Sequence, residues 1–282
     1  MKDQLELLQT TDWDVLIILD ACRADYFLEA VSDRSELSDR SEGPITVRSP
    51  FIHTPGWVHR VGPLLESIEN LVYFTANPVV DREVKRRGFD INLASLWKNH
   101  WGYFTRENIP SVHPMSVTAA VIESLDWSMR AEVSSRLVVH YMQPHCPYIG
   151  DPPLRMGRLG QAAHDFGNAC HKLPRPDKAV EHGEITWSDV HTAYRGNLEL
   201  VLDAVRNLTG YFADKRVVIT ADHGDVLGED GLYGHEGDFG MRDELRNVPW
   251  LVLEPTLSDP SDGSDRSDES DTISKLEALG YV

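Results

Sequence analysis

Cysteine is nearly absent: Cys22, Cys146 and Cys170 are the only three among 282 residues. An odd, small number without framework spacing excludes a disulfide scaffold and points to a reducing compartment. Cations are also in short supply, with 27 Lys plus Arg against 45 Asp plus Glu and a formal charge of -18. Gripping a phosphate backbone needs a basic face, so nucleic acid is excluded as a partner, and so is electrostatic docking on anionic lipid. No apolar run reaches transmembrane length, and the opening MKDQLELLQTTDWD lacks an apolar core of signal-peptide length. The expectation is a soluble, cytoplasmic protein without stable membrane insertion.

What is present begins with the acid itself. Lys is scarce beside Arg and Asp is abundant, a composition that points to a high-salt, haloarchaeal source. An acidic protein that handles an anionic ligand must reverse the local field, and a bound divalent cation does this best.

Val15-Leu16-Ile17-Ile18-Leu19 is a continuous apolar run ending in Asp20, the pattern of a strand buried on both faces. Leu71–Thr75, Arg136–Tyr141, Lys215–Thr220 and Pro249–Leu253 read as further strands, with Asn77-Pro78 as a turn. Helices are expected over Ala24–Val31, Ser116–Leu125 and about Thr186–Asn207. Strands alternating with helices predict an α/β fold, a doubly wound, mostly parallel sheet sandwiched by helices. Gly150–Gly183 reads as an insertion or lid loop. One domain is expected over residues 1–256, then an acidic linker over 257–271 and a short C-terminal helix over 272–282.

In an open parallel sheet, ligands bind beyond the carboxyl ends of the strands. Three apolar runs bring candidate ligands to that edge: Asp20, then His140 with His145, then Asp222 with His223. A single Asp there would be an ordinary cap or turn residue. Three such ends make a metal site the better explanation, and carboxylate with imidazole suits zinc or manganese, with calcium a further option. Asp222-His223-Gly224 is the sharpest piece, and the Gly-rich loop Gly228–Gly234 can fold His235 back as a ligand or oxygen donor.

These motifs resemble a known group. Asp14–Asp25 resembles the opening strand of the sulfatases, in which an Asp at the strand end binds metal and an Arg, here Arg23, follows. Val218–Asp225, with Leu227-Gly228-Glu229 and Gly234-His235, is similar to the late metal motif of sulfatases, phosphodiesterases and phosphoglycerol or phosphoethanolamine transferases. His140–Tyr148 resembles the central His-x-Pro-His-x-Pro-Tyr region with a different spacing of its two histidines. Tyr194–Leu198 with Asp203 resembles the helix before the late strand, and Leu276–Val282 resembles a common sulfatase ending. The resemblance to the alkaline phosphatase and sulfatase superfamily thus spans nearly the whole chain, with specific ends and a loose middle. It implies an alkaline phosphatase-like fold.

The resemblance further implies metal-dependent hydrolysis or transfer of an anionic phosphate or sulfate ester, a glycan ester included. Its chemistry needs a hydroxyl nucleophile on the metal, and Thr54 before Pro55 fits, with Ser49 in reserve. Asp20, Thr54, Asp222, His223 and His235 are then the metal residues, and Thr54, His145 and His235 the catalytic ones. Two departures matter. No Cys/Ser-x-Pro-x-Arg pattern stands near Thr54, so the aldehyde chemistry of true sulfatases is not expected, and Ala21 stands where many sulfatases carry a second Asp. Two rival readings are a degenerate accessory factor in glycan or polysaccharide assembly and a cofactor-independent mutase; the mutase needs an inserted domain that is not evident. The aromatic stretch Trp97–Phe104 reads as core packing or as a sugar-stacking wall.

Overall fold

A computed structural model describes residues 1–32, 34, 37, 39–106, 108–128, 136–156 and 173–256. In chain order they form β1 (Lys2–Asp3), α1 (Gln4–Thr10), β2 (Val15–Asp20), α2 (Ala24–Val31), β3 (Ile45–Arg48), α3 (Thr54–Glu66), β4 (Val72–Thr75) and α4 (Pro78–Arg87). Next come β5 (Asn92–Ser95), α5 (Trp97–His100), β6 (Trp101–Phe104), β7 (Ile109–Val112), α6 (Pro114–Ser128) and β8 (Leu137–Pro144). The remainder holds α7 (Pro176–Glu181), α8 (Trp187–Tyr211), β9 (Val217–Thr220), β10 (Val226–Leu227), β11 (Tyr233–Gly234), α9 (Asp243–Arg246) and β12 (Asn247–Leu253).

The apolar runs become the middle of an eight-stranded sheet in the order β1-β3-β12-β9-β2-β8-β4-β5. Every residue of β2 and of β8 is buried, because a strand covered on both faces has no polar side to show. β2 runs parallel to β8 and β9, and β4 runs parallel to β8 and β5. β12 is antiparallel to both β9 and β3, so the sheet is mixed but mostly parallel. The reason lies in the connection. A parallel neighbour needs a helical crossover, whereas the segment from β9 to β12 holds the four-residue α9, a small β10–β11 hairpin and two three-residue 3-10 turns, none long enough to cross the sheet. The chain therefore stays at one sheet edge and must run back.

The helices follow their capping chemistry. Thr186 and Asp189 form a reciprocal capping box at the start of α8, whose buried stripe includes Val190, Tyr194, Leu198, Val201, Val205 and Leu208. Asn77-Pro78, expected as a turn, is instead the start of α4: the Asn77 side chain accepts from Val79 N–H and Pro78 occupies the first turn. That helix ends at Gly88 in the left-handed region, φ 72, after Lys85, Arg86 and Arg87. Part of the expected lid region forms the short α7, while its residues 157–172 lie outside the described ones. So do Cys170, the acidic linker over 257–271 and the C-terminal helix over 272–282.

Candidate metal centre

The carboxyl ends of β2, β8 and β9 meet at one edge of the sheet, where the sequence placed its candidate ligands. Asp20 closes β2. Ala21 follows with φ 56, which turns the chain sharply. That turn lets Ala21 N–H donate to Asp222 Oδ1 at 3.1 Å while its carbonyl accepts from the Tyr194 hydroxyl at 2.8 Å. Thr54 opens α3, and its Oγ1 donates to Asp222 Oδ2 at 2.8 Å and lies 3.3 Å from His223 Nε2. His223 Nε2 is 3.4 Å from Asp222 Oδ2 and 3.6 Å from Asp20 Oδ1. The β10–β11 hairpin returns His235 to the same place, with its ring 4.4 Å from that of His223 and 5.2 Å from that of His145. His235 Nδ1 lies 3.0 Å from Asp225 Oδ1. The structure thus draws Asp20, Thr54, Asp222, His223, His235 and His145 together from across the chain.

Ser49, the reserve hydroxyl, is used differently. It is fully buried, and its Oγ donates to main-chain carbonyls, Asp222 O at 2.5 Å and Phe51 O at 2.9 Å. The amides at the start of α3 are also committed. Gly56 N–H is held by His53 through both its carbonyl at 3.1 Å and its Nδ1 at 3.0 Å. Arg23 is bound to Asp25 at 2.7 Å and Glu229 at 2.5 Å and reaches Asp225 O at 3.4 Å. It therefore ties the loop after β2 to the loop after β9.

Three contributors escaped the sequence reading of the site, and a fourth, His140, was read only in part. His140 sits within β8, two residues below the level of Asp20, and forms with Asp20 and Asp222 a fully buried group whose ligand atoms all lie within 4.8 Å of one another. Its signal was visible, a histidine inside an otherwise apolar run, but it was not carried into the ligand set. Asn77 donates to Asp20 Oδ2 at 2.5 Å, a role hidden by its reading as a turn. Asn197 accepts from Ile149 and Gly150 N–H and donates to the carbonyls of Pro144, His145 and Pro147, which fixes the loop carrying His145. Gln4, buried in α1, donates to Thr220 Oγ1 and Ala221 O and accepts from Trp57 Nε1, tying α3 to the end of β9. Nothing in the polar segment around Gln4 announced this. Of the aromatic stretch, Trp97 and Trp101 pack against the core, and Tyr103 is the largely exposed ring at 48%.

The electrostatics call for positive charge. Burial and the neighbouring Asp222 carboxylate push Asp20 well above the usual range, while His223, His140 and the Thr54 hydroxyl hold Asp222 below it against its own burial. Burial lowers His140 and His223 to about 4, against the opposing pull of Asp222, so both imidazoles are neutral with a lone pair to offer. Of the buried side-chain atoms without a hydrogen-bond partner among the described residues, two lie at this site, Asp20 Oδ1 and His140 Nε2. Buried polar atoms are rarely left so, and two carboxylates with neutral imidazoles are the donor set of a divalent cation such as zinc. The residues present fit one.

No protein-family profile matches the chain, and no curated protein matches it. Solved structures do. The integral membrane lipooligosaccharide phosphoethanolamine transferase A from Neisseria meningitidis superposes with a TM-score of 0.55 at 13% identity. The match covers 86% of this chain and 47% of that one, so the chain spans about half of its length. The soluble domain of the same enzyme gives 0.54 at 13% identity, covering 85% of this chain and 75% of that one. The C-terminal periplasmic domain of EptC from Escherichia coli, in complex with Zn, gives 0.50 at 12% identity over 95% of this chain and 79% of that one. The comparisons lend no support to a haloarchaeal source. Among the described residues no helix is long and apolar enough to cross a membrane.

Proposed function

Starting from a fold that is the one of the alkaline phosphatase and sulfatase superfamily, we propose that this chain is a metal-dependent enzyme that hydrolyses or transfers a phosphate ester through Thr54. The observation that carries the reading is the position of the Thr54 hydroxyl, 2.8 Å from Asp222 and 3.3 Å from His223, beside two buried atoms that lack partners. A hydroxyl seeking only a cap would not need that company.

Asp20, Asp222, His223 and Thr54 would hold the cation, with His140 beside them. When bound, the cation supplies the positive charge that makes a threonine hydroxyl acidic and offsets the charge of an anionic ester. Thr54 Oγ1 attacks phosphorus and its proton passes to the Asp222 carboxylate, to which it is already hydrogen-bonded. The bond from phosphorus to the leaving oxygen breaks in line, leaving a phosphothreonine. His145 and His235 face the same space and donate to the non-bridging oxygens or protonate the leaving oxygen, His235 being oriented by Asp225. Water or an acceptor alcohol then attacks phosphorus and passes its proton to the histidine that protonated the leaving oxygen, while the bond from phosphorus to Thr54 Oγ1 breaks and that oxygen recovers its proton from Asp222.

Phosphate is favoured over sulfate because Thr54 has no route to the aldehyde that sulfatases use. A cytoplasmic location is supported only by cysteine usage, and the matched domain of EptC is periplasmic. The test is turnover of bis-p-nitrophenyl phosphate, p-nitrophenyl phosphate and p-nitrophenyl sulfate with zinc, manganese or calcium in molar salt. Phosphoester cleavage that falls by about three orders of magnitude or more in Thr54→Ala is expected. Turnover retained by that variant would remove Thr54 from its role. Silence of the metal-loaded wild type on every ester would transfer the reading to an accessory factor without turnover.

A further inference from the structure

His140 has two ring nitrogens in different surroundings. Nδ1 lies 2.9 Å from the hydroxyl of Tyr73, on the neighbouring strand β4. Nε2 has no partner, and the nearest carboxylate oxygen, Asp222 Oδ2, is 3.9 Å away, beyond hydrogen-bond reach. The ring is fully buried, flanked by Trp57 at 6.4 Å and Tyr73 at 6.2 Å between centroids. Trp57 Nε1 is already committed to Gln4, so the walls offer Nε2 nothing.

A neutral imidazole carries one proton. On Nε2 it would be a buried donor without an acceptor, and Asp20 Oδ1 would remain a second buried orphan. On Nδ1 it has an acceptor at once in the Tyr73 oxygen. The bare Nε2 then joins Asp20 Oδ1 and Asp222 in the group whose ligand atoms lie within 4.8 Å, and one cation satisfies both orphans together.

We propose that Tyr73 is a positioning residue of the cation centre: its hydroxyl oxygen accepts Nδ1–H of His140, which fixes the tautomer that presents Nε2 as a metal ligand. This rests on the reading of the site as a cation centre, and on no particular reaction. Ligating histidines as a rule donate their second N–H to an oxygen that sets ring orientation. Here that oxygen comes from a tyrosine two strands from Asp20, because β4 and β2 flank β8 on either side.

The probe is Co2+, titrated into metal-free protein and read by its visible absorption, with Zn2+ as competitor. Tyr73→Phe is expected to weaken binding by roughly 10–100-fold and to change the absorption band. His140→Ala is expected to weaken it at least as much, and Tyr73→Phe added to His140→Ala should do nothing further. A tyrosine that merely packs would give an additive loss of stability without that pattern. Nitrogen-resolved NMR of the wild type, which needs no variant, should show the His140 proton on Nδ1. Wild-type affinity and absorption in Tyr73→Phe, a proton on Nε2, or no Co2+ bound by the wild type would each overturn the inference. A wild type that binds Co2+ through His140 yet cleaves no ester would sink the proposed reaction and leave this inference standing.

Discussion

Among the described residues the buried carboxylates fall into two groups, and they are treated in opposite ways. On α4, Asp81 is held by Ser95 at 2.7 Å, Lys85 at 2.9 Å and Lys98 at 3.5 Å, and Glu83 by Arg86 at 2.6 Å and Arg87 at 3.5 Å. These contacts keep Asp81 below its usual pKa although burial pushes it up. At the sheet edge, Asp20, Asp222 and Asp225 are as deeply buried, yet among the described residues no Lys or Arg side chain pairs with any of them. Asp20 rises instead. A fold that supplies cations to one set of acids and withholds them from another is leaving charge to be balanced from outside.

The sharpest way to break the contrast is to neutralise one acid in each group. Asp222→Asn is expected to abolish cation binding and to lower phosphoester turnover by roughly three orders of magnitude. Glu83→Gln should leave both unchanged and lower only the melting temperature. Equal effects on turnover would show that the sheet edge is not special. Next in size is the pH dependence of the metal-free protein. Burial holds His140 and His223 at about 4 in the folded state, against about 6.5 in the unfolded chain. Between those values the unfolded chain binds more protons, so stability falls as pH falls, by roughly 3 kcal/mol per imidazole. Asp20, with its raised pKa, takes its proton first in the folded state and offsets part of that loss. Urea midpoints followed from neutral pH to about 4 check this, and a flat profile would mean that these rings titrate as if exposed.

A smaller effect separates the two groups in the metal-free state. Asp20→Asn relieves repulsion with Asp222 and is expected to stabilise by roughly 1 kcal/mol, whereas Asp81→Asn strips partners from Lys85 and Lys98 and should destabilise by about as much. Thermal melts in the presence of a chelator read the signs, and the same sign for both would erase the distinction. The smallest concerns the turn after β2. Ala21 sits at φ 56, where an L side chain is strained, so Ala21→Gly should gain up to about 1 kcal/mol without altering cation affinity.

Much of the centre was legible because its ligands directly follow apolar runs. A strand such as Val15–Leu19 can only be central, and Asp20 and Asp222 then fall at the carboxyl edge where ligands bind. His140 was legible as a polar residue in an apolar strand, but its partner was not. Tyr73 and His140 meet only because β4 lies beside β8, a neighbour relation set by the sheet and not by spacing along the chain.

The sequence by itself determined the α/β class, the central strands and the carboxylate and imidazole types at their ends, because local hydrophobic pattern and side-chain chemistry are properties of short segments. Tertiary structure alone decided that β12 runs back against β9, that Asn77 reaches Asp20 and that Gln4 bridges α3 to β9. It also left Asp20 Oδ1 and His140 Nε2 unpaired. Those outcomes depend on which distant segments come within a few ångströms of one another, and burial and hydrogen-bond satisfaction exist only once they have.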